Sequence, residues 1–187
     1  GLPIRELHRD EQGTLWASVA HEGLRSVSGA AYTSYKPAAM LGEGAIYATV
    51  SARGDLWFSN AAGVSRHSAT RGDWSWWRTI GPELRGPYRA MTGAAPEQTV
   101  WVGGTGGVAR YLPEADRWQS FAMPDPDAVA LCLLSAGVSL WIGTDRGVFR
   151  LDLATGEILS DSRFSSLNDL PIQALATDTS RSVWLGT

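Results

Sequence analysis

Arg5 and Arg89 are the residues of this 187-residue chain best suited by type to recognise a ligand. A guanidinium presents a planar fork of donors that matches carboxylate or sulfate bidentately, so two of them at equivalent depths favour an anionic group. The competing use is structural: either side chain can cover an apolar rim with its stem or pair with an acid, Glu6 or Glu83. Other reactive groups are sparse. His8, His21 and His67 share no HExxH or Cys/His spacing, which argues against zinc. The single Cys132 sits in an apolar run and reads as a small buried hydrophobe, and one cysteine makes no disulfide within the chain. Asp125 and Asp127 in "PDPD" lack the further oxygen ligands that calcium needs and read as a solvated loop. No catalytic residue, metal site or cofactor is expected.

Two motifs imitate known sites. "GGTGG" at Gly103–Gly107 lacks the Lys-Ser/Thr of a phosphate-binding loop and precedes a strand rather than a helix, so it reads as a hairpin turn. "RGD" at Arg53–Asp55 and Arg71–Asp73 is a tripeptide that recurs by chance, and the first copy is the turn before a tryptophan-bearing strand.

These residues are positioned by a repeat. "TLWASV", "DLWFSN", "TVWVGG", "LWIGT" and "VWLGT" place Trp16, Trp57, Trp101, Trp141 and Trp184 at intervals of 41, 44, 40 and 43 residues. A glycine follows each of the first four six or seven residues on, opening an alternating stretch such as "GVARYL" or "GVFRLD", the mark of a β-hairpin. An apolar run precedes each tryptophan, and an aromatic-bearing segment such as "DWSWWRTI" or "DRWQSF" follows. Four strands in about 42 residues is the count for a β-propeller blade. In "LWIGT" Leu140 and Ile142 share one face and Trp141 takes the other, so both faces are apolar and need cover, which stacked blades supply. Ser18, Ser59, Gly103 and Gly143, two positions after the tryptophan, leave room for it. The 21 glycines and 9 prolines leave no long helical window.

The expected fold is therefore all-β: a propeller with four four-stranded blades and the first half of a fifth. The repeats run approximately over 1–42, 43–84, 85–125, 126–168 and 169–187. The chain starts and stops inside repeats, so a fragment of a longer propeller is expected. The 44% hydrophobic and 19% charged residues suit a folded chain, and a net charge of −3 without a basic stripe gives nucleic acid no footprint. The stretch 128–143 carries no charge but is shorter than the about 20 residues a membrane helix needs, and reads as two buried strands.

The pattern of an apolar strand, often an Asp, a Gly-bearing turn, "LWIGT", a polar turn and "GV" or "GL" resembles the two-component regulator propeller repeat. "LPIQALATDTSRSVWLGT" at Leu170–Thr187 and "VSLWIGTDRGVFRLDLATGEI" carry the likeness most closely. Blade two departs from it with "FSNAAG", and blade three with "VGGTGG" and an irregular "AAPEQ" turn. The resemblance implies a fragment of a seven-bladed propeller in the periplasmic, or otherwise extracytoplasmic, sensing region of a hybrid histidine kinase or related membrane signalling protein. It further implies a non-catalytic module that binds a small molecule, anionic or saccharide, with the remaining blades, a transmembrane segment and an output domain as partners, and a homodimeric full-length protein. "LDLATGEIL" is similar to the Asp-x-x-Thr-Gly turn of quinoprotein dehydrogenases, and "GDLWFS" to streptogramin lyase repeats, so a propeller enzyme is the alternative, with a protein-binding scaffold as a third.

In a propeller the innermost strand of each blade lines the central channel, and ligands gather where loops converge at its mouth. On that map the innermost strands begin near Arg5, Tyr47, Arg89 and Gln173, and the adjoining turns present His21, Asn60, Thr105, Asp145 and Arg146.

Overall fold

Every tryptophan motif forms the second strand of an antiparallel sheet, because its alternating side chains have apolar cover to find on both faces. The computed structural model describes residues 3–10, 12–19, 23–28, 31–35, 45–68, 70–94, 99–160 and 162–187. The first sheet is β1 (Ile4–Arg9), β2 (Leu15–Val19), β3 (Gly23–Ser28) and β4 (Ala31–Tyr35). The second is β5 (Ala48–Ala52), β6 (Asp55–Ser59), β7 (Val64–His67) and β8 (Trp74–Trp77). The third is β9 (Arg85–Ala94), β10 (Thr99–Thr105), β11 (Gly107–Leu112) and β12 (Arg117–Ala122). The fourth is β13 (Ala130–Ala136), β14 (Ser139–Thr144), β15 (Gly147–Asp152) and β16 (Ile158–Ser160). A pair follows, β17 (Ala174–Thr177) and β18 (Val183–Gly186). Strand order in each sheet is chain order. The uncharged stretch 128–143 supplies β13 and β14, and no helix among the described residues is long and apolar enough to cross a membrane.

The first strands β1, β5, β9, β13 and β17 lie against one another in succession, so the sheets fan from a shared inner edge as the blades of a β-propeller. The core is a series of seams between consecutive blades. Trp16 packs with Leu56 and Phe58, Trp57 with Val100, Val102 and Tyr111, Trp101 with Leu140 and Ile142, and Trp141 with Ile172, Leu175 and Leu185. Each of these four tryptophans thus faces the following blade, and the strand neighbours of Trp57, Trp101 and Trp141 face the preceding one.

The small residues after the tryptophans are close-approach points. A Cβ added at Gly103 would sit 2.6 Å from the Ala130 Cβ of the next blade, and one at Gly143 would sit 2.5 Å from Cys132 Sγ and 2.8 Å from Ile172 Cγ2. Real side chains do not approach so closely, so glycine here sets the spacing between blades.

Two kinds of turn deliver the chain into the tryptophan strand. In the first blade Asp10 closes the turn: its Oδ1 accepts from the Gln12 and Thr14 amides at 3.0 and 2.8 Å, and its Oδ2 accepts from the Trp16 indole at 2.7 Å. Asp178 repeats the device, accepting from the Ser182 amide at 2.9 Å and the Trp184 indole at 3.1 Å. In the second blade Ala52 pairs directly with Asp55, leaving Arg53 and Gly54 as a two-residue turn with φ of 56° and 77°. In this shorter turn Ala52 stands at the place of Asp10, and the Trp57 indole N–H is buried without a hydrogen-bond partner.

Gly103→Ala should therefore destabilise the chain by about 1–3 kcal/mol through overpacking, and Trp101→Ala by about 3–5 kcal/mol through the cavity it leaves. Urea unfolding midpoints of the two variants check the order; a Gly103→Ala midpoint equal to that of the parent would contradict the close approach.

Candidate functional site

Antiparallel pairing brings the beginning of each first strand beside the turn between the second and third strands, as Ile4 pairs with Val19, Ala48 with Ser59 and Ala130 with Thr144. We call this the upper face; the turns between first and second strands lie on the lower face. Those of the residues expected at the channel mouth that are described lie on the upper face, and there Arg89 and Tyr47 come together. Arg89, exposed on β9, holds its guanidinium carbon 5.3 Å from the centroid of the Tyr47 ring, which precedes β5. The Tyr47 amide donates to Ser59 O at 2.8 Å and anchors the ring to its blade. Glu83 is not the partner of Arg89; it accepts from the Ser120 hydroxyl.

The other candidates serve the turns. Asn60 departs from its expected role, being 3% exposed, with its side-chain oxygen accepting from the Ala62 and Gly63 amides at 2.8 and 2.9 Å. Its carbonyl accepts from the Tyr88 amide at 3.1 Å, so it ties the second blade to the third. Thr105 bridges to Val129, whose amide donates to Asp145 Oδ1 at 2.8 Å. Arg146 donates to Asp125 at 3.0 Å, and Arg85 stands 3.7 Å from Asp127. The Asp127 amide, and then Arg146, hold the Asp125 carboxyl below its usual range. Gln173 is exposed, its amide donating to Gly186 O at 2.8 Å. Arg5 lies on β1; its side chain, and His21 altogether, lie outside the described residues.

The remaining reactive groups are similarly engaged. His8 shares a 2.6 Å hydrogen bond with Ser51, and His67 packs against Trp74 at 4.7 Å; burial lowers both imidazole pKa values against the pull of nearby aspartates. Burial pushes the Cys132 thiol up to about 11, and it donates to Ile172 O at 3.3 Å. Asp152 accepts from the Ala154 and Thr155 amides, which makes "DLATG" a strand-to-strand turn of the Asx kind. Among the described residues no group of three His, Cys, Asp or Glu is placed to hold a metal.

The lower face holds a feature that the sequence reading missed. A cavity of about 530 Å³ opens between the second and third blades, with Arg53, Asp55, Arg66 and Arg71 on one side and Arg110, Tyr111 and Glu114 on the other. Its organising residue is Arg66, directly across the sheet from Trp57. The guanidinium lies 5.5 Å from the Trp57 and Trp77 rings and 5.6 Å from Tyr111, and donates to Tyr111 Oη at 3.0 Å and Ser75 Oγ at 3.2 Å. Arg110 stands opposite Trp101 in the same way and donates to Gln119. The signal was present as Gly-Val-x-Arg at 63–66, 107–110 and 147–150, an arginine at one fixed place in three successive repeats.

No protein-family model matches the chain, and no curated protein matches it. Solved structures do. The extracellular domain assigned to a hybrid two-component system of B. thetaiotaomicron superposes with a TM-score of 0.80 at 20% identity, over 98% of this chain and 26% of that one. A second such domain from the same organism gives 0.71 at 17% identity, over 98% and 25%. The Pan2 WD40 domain of Neurospora crassa gives 0.63 at 14% identity, over 85% and 49%. The chain spans about a quarter of the two bacterial structures. These likenesses establish the propeller fold.

Tyr111 yields a pH prediction. Burial first, and then its hydrogen bond to Asp116, push the phenol from 10.0 up to about 12. The native state keeps this proton where the unfolded chain has lost it, so the stabilising contribution is complete below pH 10 and is lost as pH rises toward about 12. Chemical denaturation across that window should show a falling midpoint that is shallower in Tyr111→Phe; identical slopes would contradict the shift.

Proposed function

We propose that the chain is a non-catalytic, ligand-sensing propeller segment from the extracytoplasmic region of a bacterial transmembrane signalling protein of the hybrid two-component type. The observation that carries the reading is the superposition of 98% of the chain on two extracellular domains assigned to such systems. Propellers host unrelated functions, so the fold is joined here by a second line of support, the repeat signature "LWIGT" with its Gly-Val hairpin. The chemistry agrees with sensing: the thiol of Cys132 is held protonated, and the described histidines are committed to packing and to Ser51. In this reading the Tyr47–Arg89 pair, just ahead of β5 and on the neighbouring inner strand β9, is the element at the channel mouth open to a ligand.

The test uses the full-length gene in its bacterial host. A reporter joined after residue 187 should be active as alkaline phosphatase and dark as a green fluorescent fusion, and membranes containing the protein should transfer the γ-phosphate of ATP to a histidine. A cytoplasmic reporter pattern, or membranes without histidine phosphorylation, would overturn the reading.

A further inference from the structure

The cavity between the second and third blades has the size, charge and wall chemistry of a small-molecule site. Its volume of about 530 Å³ lies within the roughly 300–1,000 Å³ span of such sites. Four arginines line it against two carboxylates, those of Asp55 and Glu114. Val100, Leu112 and Pro113 add apolar wall.

The positive charge inside is only partly offset by carboxylate: Arg66 forms one long ion pair with Asp55 and is otherwise held by neutral groups. Arg66, its side chain only 13% exposed, donates to two neutral oxygens, Tyr111 Oη and Ser75 Oγ, and lies among three ring faces that attract a cation yet carry no net charge. The nearest Asp55 oxygen is 3.8 Å from Arg66 Nε, and that nitrogen has no hydrogen-bond partner. Arg110 also donates to a neutral acceptor, Gln119 Oε1. Tyr111 keeps its proton and donates it in a hydrogen bond to Asp116, so it stays an uncharged phenol beside the guanidinium. At the rim Arg71 pairs with Asp73 at 2.9 Å, and Arg53 stands 3.9 Å from Glu114, but all four side chains are more than half exposed. Ion pairs this exposed are worth little and can exchange one carboxylate for another.

We propose that this cleft binds a small organic anion, a carboxylate carried on an apolar body. The carboxylate lies toward the guanidiniums of Arg66 and Arg71, and the body lies against Val100, Leu112 and Pro113. Guanidinium–carboxylate pairing supplies direction, and the low-dielectric ring faces around the mostly buried Arg66 strengthen it. The assignment goes beyond the sensory reading and does not depend on it, since it concerns binding by the chain itself rather than the location or output of a longer protein.

The experiment is calorimetric titration of the full chain, at pH 7 and fixed ionic strength, with 2-naphthoate and with its uncharged counterpart 2-naphthamide. Saturable one-to-one binding of the acid is expected, with the amide weaker by about tenfold or more for want of the charge-assisted pair. The exposed double variant Arg53→Gln, Arg71→Gln should keep the parent's unfolding midpoint and weaken naphthoate by about tenfold. Arg66→Lys should weaken it as well, because the charge remains but the planar fork is lost. Absence of saturable naphthoate binding, equal affinity for acid and amide, or unchanged affinity in the folded double rim variant would each overturn the proposal. If Arg66→Lys fails to fold, the rim variant decides.

Discussion

A tryptophan on the second strand of a four-stranded sheet cannot be covered by its own sheet; it projects from the face, and only a neighbouring sheet can close over it. Trp16, Trp57, Trp101 and Trp141 each meet that requirement by packing on the blade that follows. Burying an indole in this way is worth several kcal/mol, about what its removal to alanine costs. The glycines at 103 and 143 belong to the same constraint, since an extra carbon at 103 would push the next inner strand away, and one at 143 would collide with Cys132 of its own blade and with Ile172 ahead of β17. Blade spacing, the fan of first strands and the position of both candidate sites follow from that one packing rule.

The seams differ in what they enclose besides the indole. In the first blade Ser26 lies across from Trp16, and the space is filled by Tyr35, Phe58, His67 and Trp74. In the second, an arginine takes the place across from Trp57, and charge enters the seam with it. A guanidinium tolerates such surroundings because it is weakly hydrated and stacks on aromatic faces. The result is a polar cleft at the lower end of a seam that is apolar elsewhere, whereas the upper face keeps its charges in exposed pairs such as Arg146 with Asp125.

How much of this could be read beforehand depends on whether the information was local. The interval between tryptophans, the alternation in "GVARYL" and the hairpin glycines are properties of short segments, and the strands Ile4–Arg9 and Leu15–Val19 lie where those segments place them. Asn60 was readable too: an Asn followed by Ala-Ala-Gly is a turn signal, but its position at a mouth loop suggested a ligand instead. The Tyr47–Arg89 contact and the Arg66 cage were beyond reach because they join residues on different blades. Tyr111 is 45 positions from Arg66, and no periodicity says which way either points across a seam. The fixed arginine of the Gly-Val-x-Arg repeat was visible, but its meaning required the ring faces around it.

Strand order equal to chain order in every sheet means that hydrogen-bonded neighbours are also sequence neighbours. A sheet can close as soon as its own segment of some thirty or forty residues is available, without waiting for a distant strand, and the next can then dock on an indole already in place. Stability in such an array is close to a sum of unit and nearest-neighbour terms, so order can spread along the chain from any point at which it begins. During synthesis from the N-terminus, this architecture lets the polypeptide acquire structure in the direction in which it emerges from the ribosome, one blade at a time.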